Sequence, residues 1–277
     1  MDYPMIKLNN GVEIPQIGLG VFRSEPGPET ANAVTYALEA GYRHIDTAAA
    51  YRNEQDVAQG IKASSVKRED IFITSKLQTQ EIEAKNALEA TKRSFERLET
   101  DYIDLFLIHW PCPNFVEAYE VLQKFYEEKK FRAIGVSNFE PHHLKALEDK
   151  GLMTPAVNQI ELHPKFQQKI VKPCSEEKGI FVEAWSPLGG SDFLMVNDEA
   201  IVGIGKKYGK SGAQVIIRWH IQIGNIVIPK SVKKDRIIEN GDVFDFQLDA
   251  EDMAVIAALD TNERSYWDPY RWEKEAK

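Results

Sequence analysis

The chain has 277 residues, of which 43% are hydrophobic, and a formal net charge of -9 at pH 7. This length supports a large core, and we expect one domain over residues 1–277. The negative charge argues against a nucleic-acid or anionic-membrane partner, since such partners usually require a basic face, so any bound anion must meet a local basic cluster.

Two features predict the cellular location. Residues 1–15 contain no apolar signal-peptide core, and no apolar run approaches the ~20 residues that would span a bilayer. The two cysteines, Cys112 and Cys174, argue against a disulfide scaffold and fit a reducing compartment. We therefore expect a cytoplasmic protein without a membrane partner.

The first predicted element is a β-hairpin. Residues 7–16 alternate around Asn9-Asn10-Gly11, which is a hairpin turn signal because its central residues tolerate positive φ. We expect this hairpin to plug one end of a barrel.

Eight apolar strand-like runs then alternate with helical runs along the chain. The predicted strands are 17–22, 43–47, 71–75, 102–108, 131–136, 156–161, 180–185 and 225–228, and the clearest predicted helices are 29–40, 83–98, 115–128 and 211–223. Alternating strands and helices imply a parallel sheet, and eight repeats imply its closure, so the predicted fold class is α/β, a (β/α)8 TIM barrel. An additional C-terminal helix over 250–259, with Asp249 as its N-cap, follows.

Ionisable side chains recur at the ends of successive predicted strands. Asp46 and Tyr51 lie at and beyond the end of the second strand, Lys76 follows the third, and His109 follows the fourth. The carboxyl ends of barrel strands share one rim, so these four side chains are expected to converge.

Such a set could donate a proton to a developing alkoxide. An ammonium within ~4 to 6 Å lowers the pKa of a tyrosine from ~10, so Lys76 could tune Tyr51 while Asp46 keeps Lys76 charged. His109 would hydrogen-bond a substrate oxygen or help to move its proton. The set contains no obvious nucleophile, and a hydride from a nicotinamide cofactor would fit. Taken singly, each residue also has an ordinary structural interpretation.

A basic segment follows the eighth predicted strand. Residues 228–236 read Ile-Pro-Lys-Ser-Val-Lys-Lys-Asp-Arg and open a helix in an otherwise acidic chain. The loops after the last two barrel strands often bind phosphate, with help from helix N-terminal amides. Lys230 and Arg236 are therefore candidates for a ribose 2'-phosphate, although a solvated basic helix start would look the same.

Seven segments together resemble the signature of the aldo-keto reductases, in the order and spacing of that family. They are residues 41–53 (GYRHIDTAAAYRN), 74–77 (TSKL), 107–111 (LIHWP), 134–139 (IGVSNF), 158–164 (NQIELHP), 185–189 (WSPLG) and 228–231 (IPKS). The compact loop after His109 resembles microbial and protozoan members, such as diketogluconate reductases and prostaglandin F synthases, more than the longer-looped mammalian aldose reductases.

The resemblance implies a monomer that reduces aldehydes or ketones with NADPH, with Tyr51 as general acid, Lys76 and Asp46 tuning it, and His109 orienting the substrate. It implies that the nicotinamide carboxamide is held by Ser137, Asn138 and Gln159 and that the ring stacks on Trp185. The other implied cofactor contacts are Gly20, Ser186, Leu188, Lys230, Ser231, Val232, Arg236, Glu239 and Asn240, with Lys230 and Arg236 at the 2'-phosphate.

The sequence departs from the family pattern around the expected substrate pocket. Phe22 and Gln78 stand where many members have Trp, and Trp185 replaces the more usual Tyr. Phe22 and Gln78, together with Trp110, are the predicted pocket walls, so substrate specificity does not carry over. Gly190 stands near a loop that straps down the cofactor in larger members, which predicts a looser hold on the cofactor.

A tail from residue 261 follows the last predicted helix. It carries Tyr266, Trp267, Tyr270 and Trp272. The first three aromatics either cover the pocket or pack on the barrel.

Two other functions remain open from the sequence. His44 and Asp46 lie two apart on a strand and share a face, so with His109 and His163 they could form the zinc site of a barrel hydrolase. The second is an NADPH-binding sensor without useful turnover, similar to relatives attached to potassium channels. The four filled catalytic positions weigh against this sensor.

Overall fold

Eight parallel strands form the central sheet of the protein. The computed structural model describes residues 3–83, 85–190 and 195–271. Two strands, β1 (Met5–Lys7) and β2 (Glu13–Pro15), form a separate hairpin. The central sheet contains β3 (Leu19–Gly20), β4 (His44–Asp46), β5 (Phe72–Leu77), β6 (Ile103–Ile108), β7 (Phe131–Ser137), β8 (Val157–Glu161), β9 (Phe181–Trp185) and β10 (Ile226–Val227). The sheet runs in sequence order from β3 to β10, and each predicted strand run overlaps one of these strands, although β5 and β7 extend beyond the predicted ends at 75 and 136.

The first and last strands meet. Two parallel bridges join Ile17 to Val227 and Gly20 to Lys230. The backbone N–H of Gly18 also donates to the carbonyl oxygen of Val227 at 2.9 Å. These contacts close the sheet into the predicted (β/α)8 barrel.

Helices cover the outside of this sheet. They are α1 (Pro28–Glu39), α2 (Glu54–Ala63), α3 (Thr79–Glu83), α4 (Ala87–Leu98), α5 (Phe115–Glu127), α6 (Pro141–Asp149), α7 (Val171–Glu177), α8 (Glu199–Tyr208), α9 (Gly212–Gln222), α10 (Lys234–Gly241) and α11 (Ala250–Ala257). No helix in the described ranges is long and apolar enough to cross a membrane.

The helix predicted over 83–98 is wrong at its start. The chain forms α3 and then α4, and Lys85 between them has a φ of 56°, in the left-handed region. A residue in that region interrupts a right-handed helix, so α4 begins only after Asn86. At the other end of the chain, the predicted N-cap of α11 is confirmed, because the Asp249 carboxylate accepts a hydrogen bond from the backbone N–H of Asp252 at 3.0 Å.

The hairpin of β1 and β2 closes the amino-terminal end of the barrel, as predicted. The side-chain amides of Asn9 and Asn10 donate to the carbonyl oxygens of Pro155 and Arg132, both at 2.9 Å, and these acceptors lie at the starts of strands. Ile14 is fully buried and belongs to the apolar cluster inside this end of the barrel. The opposite end, where the strands terminate, is left for the functional side chains.

The barrel wall is tightly packed at Gly135 in β7. A Cβ placed there would lie 2.5 Å from the carbonyl oxygen of Val157 and 2.8 Å from Cδ2 of Leu107. Only glycine therefore fits between the neighbouring strands at this position.

Candidate active site

The structure brings the four predicted catalytic side chains together at the carboxyl end of the barrel. Asp46 ends β4, Tyr51 ends the 3-10 turn Ala49–Tyr51 that follows, and Lys76 lies in β5. The Lys76 ammonium donates to both Asp46 carboxylate oxygens, at 2.7 and 2.9 Å, and lies 3.4 Å from the Tyr51 hydroxyl. His109 follows β6, and its ring centroid lies 5.6 Å from that of Tyr51.

Lys76 is a fully buried ammonium with a complete set of partners. Besides Asp46, it donates to the carbonyl oxygen of Thr47 at 2.8 Å. Burial acts to lower the pKa of Lys76, but the Asp46 carboxylate and the Tyr51 hydroxyl outweigh burial and raise it. The ammonium is therefore held charged and fixed in place beside the phenol.

The pKa of Tyr51 differs from the prediction. Burial is the largest effect and raises this pKa, whereas the Lys76 charge lowers it as expected. Asp46 and Glu183 add to the rise, and the net pKa lies above the ordinary value of 10.0. The predicted net lowering is therefore wrong, and the phenol is held in its protonated form.

His109 is a neutral imidazole at this rim. Burial, and after it the charge of Lys76, holds the pKa of His109 well below its ordinary value. Its Nδ1 is buried and has no hydrogen-bond partner among the residues described. A neutral imidazole has one donor and one acceptor nitrogen, so His109 can bind a carbonyl or hydroxyl oxygen.

A second cluster joins the ends of β7, β8 and β9. The indole N–H of Trp185 donates to the Asn138 side-chain oxygen at 2.9 Å, which fixes the plane of the indole. The Asn138 amide donates to the His109 carbonyl oxygen at 3.1 Å and to the Ser137 hydroxyl at 3.0 Å. The Ser137 hydroxyl donates to the Gln159 carbonyl oxygen at 2.8 Å. The structure thus places these four predicted residues side by side next to His109.

One buried side chain below this cluster, Glu183, was missed from the sequence, and its neighbour His44 was predicted only as a candidate zinc ligand. Gln159 donates to Asp46 at 2.7 Å and to the carboxyl of Glu183 at 3.0 Å, and Glu183 lies 3.5 Å from Nε2 of His44. Burial, and then the Asp46 charge, raises the pKa of Glu183 to about 8. Burial and the Lys76 charge lower the pKa of His44 to about 3. The available signal was a glutamate inside an apolar strand, two residues before Trp185 and so on the same face.

The basic segment lies beside Gly20, where the barrel closes. A Cβ at Gly20 would lie 2.9 Å from the carbonyl oxygen of Ile228, so the glycine permits this close approach. The Ser231 hydroxyl accepts a hydrogen bond from the backbone N–H of Lys233 at 3.1 Å, just before α10. Lys230 and Arg236 are exposed.

The other predicted cofactor residues lie in two places. Val232 precedes α10, and Glu239 and Asn240 lie within it. Ser186 and Leu188 follow β9, where the N–H of Gly189 donates to the Ser186 carbonyl oxygen at 2.9 Å. These predicted cofactor residues therefore lie in two parts of the rim, one after β9 and one after β10.

The predicted pocket walls stand around the tyrosine. Phe22 is 41% exposed, and its ring centroid lies 4.9 Å from that of Tyr51. Trp110 is buried next to His109, and Gln78 follows β5. Phe22 therefore contacts the candidate acid directly and remains accessible to a ligand.

The tail crosses this rim. The Tyr266 ring packs edge-on against Trp185, with centroids 5.2 Å apart, and Trp267 lies 6.2 Å from Trp110. Tyr270 stacks on His142 of α6 instead. Tyr266 and Trp267 thus lie over the predicted pocket, whereas Tyr270 packs on the barrel exterior. Trp272 lies outside the described residues.

Gly190 is in close contact with the tail. A Cβ there would lie 2.9 Å from the Tyr266 ring and 3.0 Å from the Cβ of Ser265. The predicted loose hold on a cofactor at this loop stays a prediction, since residues 191–194 are not described.

The zinc-site alternative lacks a ligand set. His44 pairs with the Thr74 hydroxyl at 2.9 Å, while His163 lies 3.1 Å from Glu161 and 3.0 Å from the Ser265 hydroxyl. In the ranges that the structure covers, no three His, Cys, Asp or Glu side chains are arranged to hold a metal ion.

Comparison with known proteins agrees with this geometry. The model of the aldo/keto reductase family matches residues 16–261. The chain is 49% identical over 270 residues to a 9,11-endoperoxide prostaglandin H2 reductase of Trypanosoma cruzi, covering 97% of this chain and 95% of that protein. It is 48% identical over 260 residues to a glyoxal reductase of Bacillus subtilis, with 94% of each covered.

Solved structures give the same result. The structure of a Bombyx mori aldo-keto reductase in complex with NADP matches with a TM-score of 0.90 at 35% identity, covering 99% of this chain and 97% of that one. The sequence resemblance is thus confirmed over most of the chain, and the protein belongs to the aldo/keto reductase family.

Proposed function

We propose that the protein reduces aldehydes or ketones to alcohols with NADPH, and that Tyr51 is the general acid. The observation that carries this proposal is the Tyr51 hydroxyl, 3.4 Å from a buried ammonium that Asp46 holds in place. The similarity to a glyoxal reductase and to a structure in complex with NADP supports the reaction and the cofactor.

The residues at the rim fit a dinucleotide phosphate. The side chains of Lys230 and Arg236 form no hydrogen bond or ion pair with any residue in the described ranges, so both cations are available to an anion. Next to the catalytic group, Trp185 offers a fixed aromatic plane for a nicotinamide ring, with Ser137, Asn138 and Gln159 as its polar neighbours. The remaining predicted contacts, Gly20, Ser186, Leu188, Ser231, Val232, Glu239 and Asn240, would line the groove between these two points.

Residues of the chain supply the proton and stabilise the charge that remains after its transfer. When bound, the nicotinamide cofactor supplies the hydride that reduces the carbonyl carbon. Tyr51 is protonated before the reaction, since burial raises its pKa, and it gives its proton to the carbonyl oxygen. The Lys76 ammonium then stabilises the phenolate, and Asp46 keeps that ammonium in position. The neutral His109 holds the carbonyl oxygen toward Tyr51 by a hydrogen bond.

The test is NADPH oxidation at 340 nm with a panel of aldehydes, ketoaldehydes, keto-sugars and quinones, repeated with NADH. Turnover with NADPH is expected, and Tyr51→Phe should lower kcat by about 10² to 10⁴ while NADPH binding is retained. Near wild-type turnover in Tyr51→Phe would refute the assigned role. Tight NADPH binding without turnover of any substrate would favour the sensor, and absence of both would refute the proposal.

The proposal also includes the number of domains, the oligomeric state and the cellular location of the protein. We infer a single-domain monomer over residues 1–277 that works in the cytoplasm and binds no nucleic acid. Size-exclusion chromatography with light scattering would give a mass of 31.5 kDa for the monomer, and twice that mass would refute it.

A further inference from the structure

A cavity of about 260 Å³ borders the turn that carries Tyr51. Its lining includes Ala49, Arg52, Gln78, Glu81, Arg93 and Arg97. Ala49 is the first residue of the turn that ends at Tyr51, and Gln78 follows β5 two residues after Lys76. Since two residues span at most about 7 Å, the cavity wall begins within that distance of the Tyr51 backbone.

The charges around this cavity do not balance. Arg93 pairs with Glu81 at 2.6 Å, and Arg97 pairs with the buried carboxylate of Glu54 at 2.6 Å. Arg52 is exposed, and its side chain has no hydrogen bond or ion pair with any residue that the structure describes. Three guanidinium groups thus face two carboxylates, which leaves one positive charge in a protein whose net charge is -9.

Each guanidinium also retains free donors. Arg93 uses one nitrogen for Glu81, and Arg97 uses Nε and Nη2 for Glu54 and Ser94. Within the described part of the chain, Nη1 of neither arginine has a hydrogen-bond partner. A guanidinium carries five N–H donors in a planar fork that matches carboxylate and phosphate oxygens, so the cavity offers N–H donors beyond those that the Glu81 and Glu54 carboxylates already occupy.

Arg52 directly follows Tyr51, at the end of the turn that carries it. Arg52 has a φ of 59°, in the left-handed region that glycine or asparagine usually occupies, and its N–H closes the turn onto Ala49 at 3.2 Å. Tyr51 lies against Lys76, and the next residue along the chain, Arg52, lines the cavity.

We propose that this cavity binds the carboxylate or phosphate group of the substrate, so that the preferred substrates are aldehydes and ketones carrying an anionic group a few bonds from the carbonyl. The inference rests on the proposed function, because it assumes that Tyr51 marks the reacting carbonyl. Arg52 is the main contact, and Arg93 and Arg97 add donors from α4.

The test compares two matched substrates, succinic semialdehyde and its methyl ester, at saturating NADPH. The ratio of kcat/KM for the acid to kcat/KM for the ester is measured in the wild type, Arg52→Gln, Arg52→Lys and Lys67→Gln. Lys67 is an exposed cation before β5, at the other end of the barrel, so its variant controls for net charge. We expect the ratio to fall roughly tenfold or more in Arg52→Gln, mainly through KM, to fall less in Arg52→Lys, which keeps the charge but loses the planar fork, and to change little in Lys67→Gln.

The outcomes separate the two proposals. A ratio in Arg52→Gln equal to that in Lys67→Gln would overturn the anion cavity, even if the ester is still reduced. Failure of the wild type to reduce either substrate or any neutral aldehyde would instead refute the reductase itself. If Arg52→Gln does not fold, the dependence of KM on ionic strength in the wild type tests the anion cavity instead. Raising the ionic strength from 0.02 to 0.5 M should then increase KM severalfold for the acid only, and equal increases for both substrates would overturn the cavity.

Discussion

Replacing Glu183 with glutamine should make the protein more stable at alkaline pH. The Glu183 carboxyl is fully buried in β9 and accepts a hydrogen bond from Gln159 at 3.0 Å. Its pKa rises from an ordinary value of 4.5 to about 8 on folding. Between these values, the folded chain keeps a proton that the unfolded chain has lost, so the wild type loses stability as the pH rises.

The size of this effect follows from the shift. Each unit of pKa difference corresponds to about 1.4 kcal/mol, and the window from pH 5 to pH 8 contains most of the shift of Glu183. A glutamine does not ionise, and its side-chain oxygen still accepts from Gln159. The gain in the free energy of unfolding of Glu183→Gln over the wild type should therefore be about 3 kcal/mol larger at pH 8 than at pH 5.

Urea unfolding at pH 5, 6.5 and 8, followed by tryptophan fluorescence, measures this difference. Equal m-values in both proteins are required for the comparison. The matched control is Glu117→Gln, since Glu117 is exposed on α5. Its effect should be the same at each pH. If Glu183→Gln also gives one constant difference at all three pH values, then Glu183 is not protonated in the folded protein and the reasoning is refuted.

Three further predictions concern the rim and the barrel wall. Arg236→Ala should raise the Kd for NADPH about tenfold or more and leave that for NADH nearly unchanged, and titration by fluorescence would show it; equal losses would remove Arg236 from the 2'-phosphate. Lys76→Met should abolish turnover and destabilise the fold by about 3 to 5 kcal/mol, because Asp46 is left buried without its partner; an unchanged melting temperature would contradict this pairing. Gly135→Ala should destabilise by about 1 to 3 kcal/mol, because its Cβ meets the Val157 carbonyl, whereas Gly203→Ala in α8, where nothing lies within 4 Å, should not; equal melting temperatures would contradict the close packing.

The meeting of Asp46 with Lys76 was predictable because it follows from topology. Parallel strands that alternate with helices must end on one rim, so residues at neighbouring strand ends become neighbours in space. The pairing of β4 with β5 then brings the two side chains within hydrogen-bonding distance. The same argument predicted His109 beside Tyr51 without knowledge of the loops.

The sign of the Tyr51 pKa shift was not predictable. It depends on the balance between burial and the charge of Lys76 at 3.4 Å, and the depth of burial is set by packing around the turn. Glu183 was missed for a related reason. Its partners Gln159 and His44 come from β8 and β4, and the contact with His44 crosses the barrel. The break between α3 and α4 depends on the left-handed φ of Lys85, and the spacing of apolar residues in the sequence gives no information about that angle.

The two ends of the barrel suggest how this protein should be tethered to a bead, an electrode or a fusion partner. Asn9 and Asn10 fasten the hairpin to the closed end, far from the rim. The tail, by contrast, places Tyr266 against Trp185 at the open end. A linker joined ahead of the hairpin keeps the open end facing the solution. A linker joined after the tail pulls on the segment that covers the rim, and the immobilised protein would then differ from the free one.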